Sequence, residues 1–282
     1  MATIQWYPGH MNKAKNQIQE HLKLVDAVLE IRDARLPLSS ANPVLDQLIQ
    51  SKKRIIILNK QDLADSSQTK KWQEYLHQQQ IMSLAIDAQH TNHLQIIVQA
   101  LEKLMAAKLQ KFRRSGVKNY TIRAMCIGIP NVGKSTILNK LAGKNVAVTG
   151  NRPGVTKNQN WIKTKSQIEL LDTPGVLWPK IDDQTVGLKL ALSGAIKDSL
   201  VSAMDLAIFA LEYWQHYYSP QLQAAYHLNN TDVTLSSDKL LIKLTQQFGF
   251  KDDYERTALK IIQDVRKGVL GRYTLDMVNE IE

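Results

Sequence analysis

The chain has 282 residues, 44% of them hydrophobic, and a formal net charge of +10. That length and apolar content suit a folded chain with a full core and a smaller second domain, and argue against disorder. A lone cysteine, Cys126, excludes a disulfide framework, and the most apolar stretch, Val201 to Trp214, is broken by Asp205 and Glu212 and cannot span a bilayer. The opening Met-Ala-Thr-Ile-Gln-Trp lacks the pattern of a signal peptide, so a cytoplasmic protein with no membrane partner is expected. The charge is uneven: Met1 to Gly175 carries 25 Lys/Arg against 12 Asp/Glu, and Val176 to Glu282 carries 11 against 14. A polyanionic partner such as RNA fits the basic first part, and a merely soluble basic surface is the plainer alternative.

In chain order, Trp6-Tyr7-Pro8-Gly9-His10 leads into an amphipathic pattern, with Met11, Ala14, Ile18 and Leu22 on one face, which predicts a helix over 10–24. Ala27 to Ile31, Arg54 to Leu58 and Ile81 to Ile86 read as short buried strands with helices between them. Directly after the second comes Asn59-Lys60-Gln61-Asp62. A carboxylate at position 62 accepts from both N1–H and N2–H of guanine, a donor pair adenine does not offer; Asn59 braces the loop and Lys60 packs along the base. The third strand leads into Asp87-Ala88, where the Ala88 amide is a further candidate contact to the base. Helical pattern follows over Leu94 to Leu109, and the basic segment 108–119 reads as a connector between two halves of a sheet.

Tyr120 to Ile129 is again strand-like and runs into Gly128-Ile129-Pro130-Asn131-Val132-Gly133-Lys134-Ser135, a complete G-x-x-x-x-G-K-[ST] phosphate-binding loop, with a helix expected from Ser135 to Leu141. The chemistry needs backbone amides close to phosphate oxygens (Val132, Gly133, Lys134, Ser135 and Thr136), a lysine for the β- and γ-phosphates (Lys134), and a hydroxyl for Mg2+ (Ser135). Thr156, in Arg152-Pro153-Gly154-Val155-Thr156, offers a second hydroxyl to the metal. The strand Ile168 to Leu171 then ends in Asp172-Thr173-Pro174-Gly175, where Asp172 is placed to hold Mg2+ through water and the Gly175 amide faces the γ-phosphate. Position 176, where Ras-like enzymes carry a water-orienting glutamine, is valine and cannot bond water. Beyond Pro179 the pattern is helical, with Leu240, Leu241, Leu244 and Phe248 on one stripe and Ala258, Ile261, Ile262 and Val265 on another. Arg266, Lys267 and Arg272 at a helix end are candidate RNA contacts, or simply a solvated terminus.

These elements predict an α/β fold: a P-loop GTPase domain with a mainly parallel sheet over 1–178, and a smaller all-α domain over 179–282. The guanine-reading motif precedes the P-loop, the reverse of the Ras-like order, so the domain is circularly permuted. The motif order, together with Trp6-Tyr7-Pro8-Gly9-His10-Met11, Asp33-Ala34-Arg35 with Pro37, and Asn42-Pro43, resembles the ribosome biogenesis GTPase A family over essentially the whole length. That resemblance implies a GTP-hydrolysing factor for late maturation of the large ribosomal subunit. Such a factor binds the precursor, rRNA and ribosomal proteins included, in its GTP state, and is a monomer off the ribosome. It also implies a K+ ion coordinated by Asn131 and a water-orienting role for His10, for which a packed helix-start residue is an equal alternative. A passive RNA-binding module that uses GTP as a structural ligand is the competing function.

Overall fold

The computed structural model describes residues 4–5, 9–49, 51–91, 94–147 and 160–281. In order, these hold β1 (Ile4–Gln5), α1 (Gly9–His21), β2 (Ala27–Asp33), α2 (Pro43–Ile49), β3 (Lys53–Asn59), α3 (Ser66–Gln78), β4 (Met82–Ala85), α4 (Gln95–Leu104), α5 (Ala106–Arg114), β5 (Ile122–Ile127) and α6 (Lys134–Ala142). They continue with β6 (Asn160–Lys163), β7 (Ile168–Asp172), β8 (Lys180–Ile181), α7 (Gln184–Leu192), α8 (Ala203–Tyr217), α9 (Ser219–Tyr226), α10 (Ser237–Gln247) and α11 (Tyr254–Arg266). No helix among the described residues is long and apolar enough to cross a membrane.

The chain divides into two compact units. The larger holds Tyr7–Pro179 and Asp276–Glu282; the other holds Met1–Trp6 and Lys180–Leu275. The sequence pattern assigns each terminus to its own half, whereas in the structure both cross over. Leu38 N–H, Ser39 N–H and the Ser39 hydroxyl all donate to the Asp276 carboxylate (2.9, 2.6 and 2.7 Å), and Trp72 Nε1 donates to the Asp276 carbonyl (2.8 Å). Four donors on one acidic residue hold the end of the chain to the larger unit, where Val278 and Ile281 pack on the cluster around Trp72. In the helical unit, Gln5 and Ile4 pair antiparallel with Lys180 and Ile181, the one departure from all-α in its described residues.

The larger unit is built on a six-stranded sheet in the order β4-β3-β2-β5-β7-β6, parallel except for the antiparallel edge strand β6. Its seam is the parallel pairing of β2 with β5, which joins the half encoded before the P-loop to the half encoded after it. Central position explains why β2 is buried along its whole length. Two clusters lie along one face of the sheet: Val28, Met125, Ile127 and Leu171 meet Ile18 and Leu22, and Ile56 and Leu58, in register with Glu30 and Arg32 of β2, meet Trp72 and Leu76. The connector is not a bare loop, because its first part is helix α5, which buries no side chain. Its end is fastened by other means: Phe112 stacks on Tyr120 at 4.3 Å, and both Lys108 and the Tyr120 hydroxyl reach Asp26. Strand β6, three of whose four residues are exposed, has no apolar pattern to announce it.

In the helical unit, α8 packs on α11 around Trp214 and Tyr273. The Tyr213 and Tyr218 hydroxyls donate to the Thr274 carbonyl (3.0 and 3.3 Å), so the buried aromatics also find polar partners. Arg266, expected free for RNA, is committed inside this unit: it donates to the Asp198 carboxylate and to the carbonyls of Ala191 and Leu192. A guanidinium with this many acceptors is a brace between elements rather than a surface cation.

Candidate nucleotide-binding site

Ligands of open α/β sheets bind outside the carboxyl ends of parallel strands. Asp33, Asn59, the Asp87 loop, the P-loop and Asp172 all lie there, at the ends of β2, β3, β4, β5 and β7. Asn59 and the P-loop belong to strands separated by β2, yet Asn59 Nδ2 donates to the Val132 carbonyl at 2.8 Å across 73 residues of chain. Its Oδ1 accepts from the Ala88 amide at 3.0 Å. One buried amide side chain thus ties the guanine-reading motif, the loop after β4 and the P-loop together. The Ala88 amide, a candidate contact to the base, donates to Asn59 in this structure.

Glycine is demanded by close approach at three points. A Cβ on Gly133, whose φ is +96°, would lie 2.2 Å from Asn59 Nδ2, and one on Gly128 would lie 2.4 Å from the Ile31 carbonyl. At Gly175 it would meet the Pro130 backbone at 2.8 Å, which seats the Gly175 segment directly against the P-loop. Asn131 is a non-glycine residue in the left-handed region, at φ +62°. α6 follows from Lys134, with Ser135 and Thr136 half-buried in its first turn.

The phosphate end holds two buried charges. Lys134, 7% exposed, donates from Nζ to the carbonyls of Ile129 (2.8 Å) and Gly128 (3.2 Å). Burial lowers its pKa to about 8 against the opposing pull of Asp172. Asp172, 3% exposed, is pushed up to about 6 by burial, although Lys134 and the Thr173 amide pull it down. Its Oδ1 is buried with no hydrogen-bond partner. An orphaned carboxylate oxygen is a donor that a hard divalent cation takes, and the Ser135 hydroxyl in the first turn of α6 is a second oxygen of the same kind, so the residues present fit Mg2+.

The base end is paired. Asp33 Oδ2 meets Arg35 Nη2 at 2.7 Å and Lys60 Nζ at 2.9 Å. Burial alone would raise Asp33, but the two cations hold it far below the usual carboxylate range. Lys60 is lowered by burial, partly offset by Asp33. With its ammonium anchored on Asp33, only the aliphatic stem of Lys60 is left to flank a base. The Asp62 carboxylate is one-quarter exposed, with Oδ2 3.6 Å from His90 Nδ1.

Two expected residues are outside what can be placed: Thr156 lies beyond the described residues, and of His10 only the backbone, in α1, is described. Val176 is fully buried in the core with Ile18 and Met125, its amide on the Gly128 carbonyl (3.3 Å). Asn42 carries a contact that sequence reading assigned no role: its Nδ2 donates to the Val176 carbonyl at 2.6 Å while its Oδ1 accepts from the Val44 amide at 2.9 Å at the start of α2. Only the Asn42-Pro43 pair hinted at it.

Comparison with known proteins agrees with this geometry. The model of the 50S ribosome-binding GTPase family matches residues 123–243; it begins inside β5 and so leaves the guanine-reading motif outside, as a permuted order requires. Ribosome biogenesis GTPase A of Priestia megaterium is 46% identical over 284 residues, covering 99% of this chain and 99% of that one. The counterpart in Bacillus cereus is 45% identical, covering 98% and 95%. Among solved structures, the GDP-bound YlqF of T. maritima superposes with a TM-score of 0.66 at 26% identity, over 93% of this chain and 99% of that one.

Proposed function

From the membership of this chain in the ribosome biogenesis GTPase A family, we propose that it hydrolyses GTP as a switch in assembly of the large ribosomal subunit. The observation that carries the reading is the Asn59–Val132 bond, which makes one crevice of the guanine-reading motif and the P-loop. In that crevice Asp62 accepts from the guanine N1–H and N2–H, and the amides of Val132 to Thr136 with the Lys134 ammonium hold the phosphates. Ser135 and Asp172 would hold Mg2+, with Thr156 as a third oxygen donor, and the ion would supply charge neutralisation to the phosphates. The Gly175 amide, held against Pro130, reads the γ-phosphate, and its loss on hydrolysis releases the segment that follows.

Because Val176 is a core residue, another group must orient the attacking water. His10 is assigned that role, and Asn131 is assigned a K+ ion that offsets charge developing between the β- and γ-phosphates. The protein docks on the cytoplasmic large-subunit precursor in its GTP form as a monomer and leaves after turnover; the basic first part of the chain favours a polyanionic surface. GTP turnover with and without large ribosomal subunits, in K+ and in Na+, tests this. Stimulation by particles of more than about tenfold is expected, as for GTPases completed in trans, and His10→Ala should remove most of it. Rates indifferent to particles, cation and His10 would leave nucleotide binding alone.

A further inference from the structure

The loop after β4 carries an aspartate, Asp87, and this sets a second carboxylate beside the base-reading one. Ligand atoms of Asp62, Asp87 and His90 all lie within 4.8 Å of one another. Two carboxylates so placed repel, and each is pushed from the position it would hold alone. Asp87 is the fixed member. Its Oδ1 accepts from the Gln89 and His90 amides (2.9 and 3.0 Å), and although burial acts to raise it, these bonds hold it below the usual carboxylate range. The same turn lifts the His90 ring over the pair, with Nδ1 2.9 Å from Asp87 Oδ2 and 3.6 Å from Asp62 Oδ2.

We infer that His90 is a positioning residue for guanine recognition: its imidazole, held by Asp87, offsets that carboxylate's charge and keeps Asp62 aimed at the base. The inference rests on Asp62 reading guanine. The other charged groups nearby have different duties. Lys140, from α6, donates from Nζ to the carbonyls of Gln89 (2.8 Å) and Thr91 (2.6 Å), fixing the loop backbone, and Lys60 is anchored on Asp33. Among the described residues, His90 is thus the one cationisable group in contact with both carboxylates. Its side chain is 64% exposed, so solvent screens the effect to a few-fold.

The experiment is a titration of fluorescent GDP into the full chain. Wild type is compared with His90→Ala, Asp87→Ser, the double variant and Asp62→Asn, the last also with xanthosine diphosphate. His90→Ala should weaken GDP binding by about three- to fivefold. In the Asp87→Ser background the same change should cost less than about twofold, because the repelling carboxylate is gone. A merely structural His90 would not show this coupling to Asp87. Equal GDP affinity for His90→Ala and wild type, or an equal loss in both backgrounds, overturns the inference while Asp62→Asn still loses GDP and gains xanthosine diphosphate. GDP affinity unchanged in Asp62→Asn overturns the base reading and this inference together.

Discussion

The two ends of the crevice treat charge in opposite ways. At the base end the charges of the described residues are paired: buried Asp33 is shared by Arg35 and Lys60, and half-buried Asp87 meets His90. At the phosphate end Lys134 and Asp172 are both moved by burial toward neutrality, and Asp172 Oδ1 has no partner. A paired end is preorganised and needs no ligand to be stable. An under-compensated end is costly when empty, and that cost is relieved by a ligand carrying phosphate and a divalent cation. The paired end is therefore stable as it stands, and we propose the phosphate end as the part that responds to nucleotide.

The largest effect is expected at Asp33. Asp33→Ala leaves buried Arg35 and half-buried Lys60 side by side without a counter-charge, and a loss of about 3–5 kcal/mol in urea unfolding is expected. Lys134→Met should act in opposite directions on the two observables. GTP turnover should fall by about 100- to 1000-fold, while the nucleotide-free protein gains up to about 3 kcal/mol on removal of a buried cation. A less stable Lys134→Met protein would contradict the account of the phosphate end.

Titration sharpens the same contrast. With its folded pKa lowered from 10.5 to about 8, Lys134 contributes stability present above pH 10.5 and lost as pH falls through about 8. Asp172, raised from 3.8 to about 6, contributes stability present below pH 3.8 and lost as pH rises through about 6. Differential pH–stability curves of wild type against Lys134→Met and Asp172→Asn should show these two windows, and nucleotide with Mg2+ should flatten both. The smallest effect is expected at Asn59. Asn59→Ala strands the Ala88 amide and the Val132 carbonyl, and about 1–3 kcal/mol of nucleotide-dependent thermal stabilisation should disappear.

The P-loop and Asn59-Lys60-Gln61-Asp62 were legible because each is a run of adjacent residues whose chemistry is local. The strands were legible because a buried parallel strand must be apolar, as Arg54 to Leu58 is. Strand β6 was not, because an exposed edge places no apolar demand on alternate residues, and α5 was not, because a helix that buries no side chain leaves no stripe. The Asp276 latch, the Asn42–Val176 bond and the capture of Arg266 by Asp198 were likewise invisible. Each joins residues far apart in sequence through groups that look ordinary where they stand.

By itself the sequence determined the nucleotide, the order of its motifs and the absence of a glutamine after Gly175, since these depend on which side chains follow one another. Only the tertiary structure decided which termini belong to which unit, where the Lys60 head goes, and which charges are paired. Pairing is a property of distance and burial. The β2–β5 seam brings position 59 to position 132, and burial at the strand ends takes Asp33 and Asp172 out of water, the first between two cations and the second with one carboxylate oxygen unpartnered.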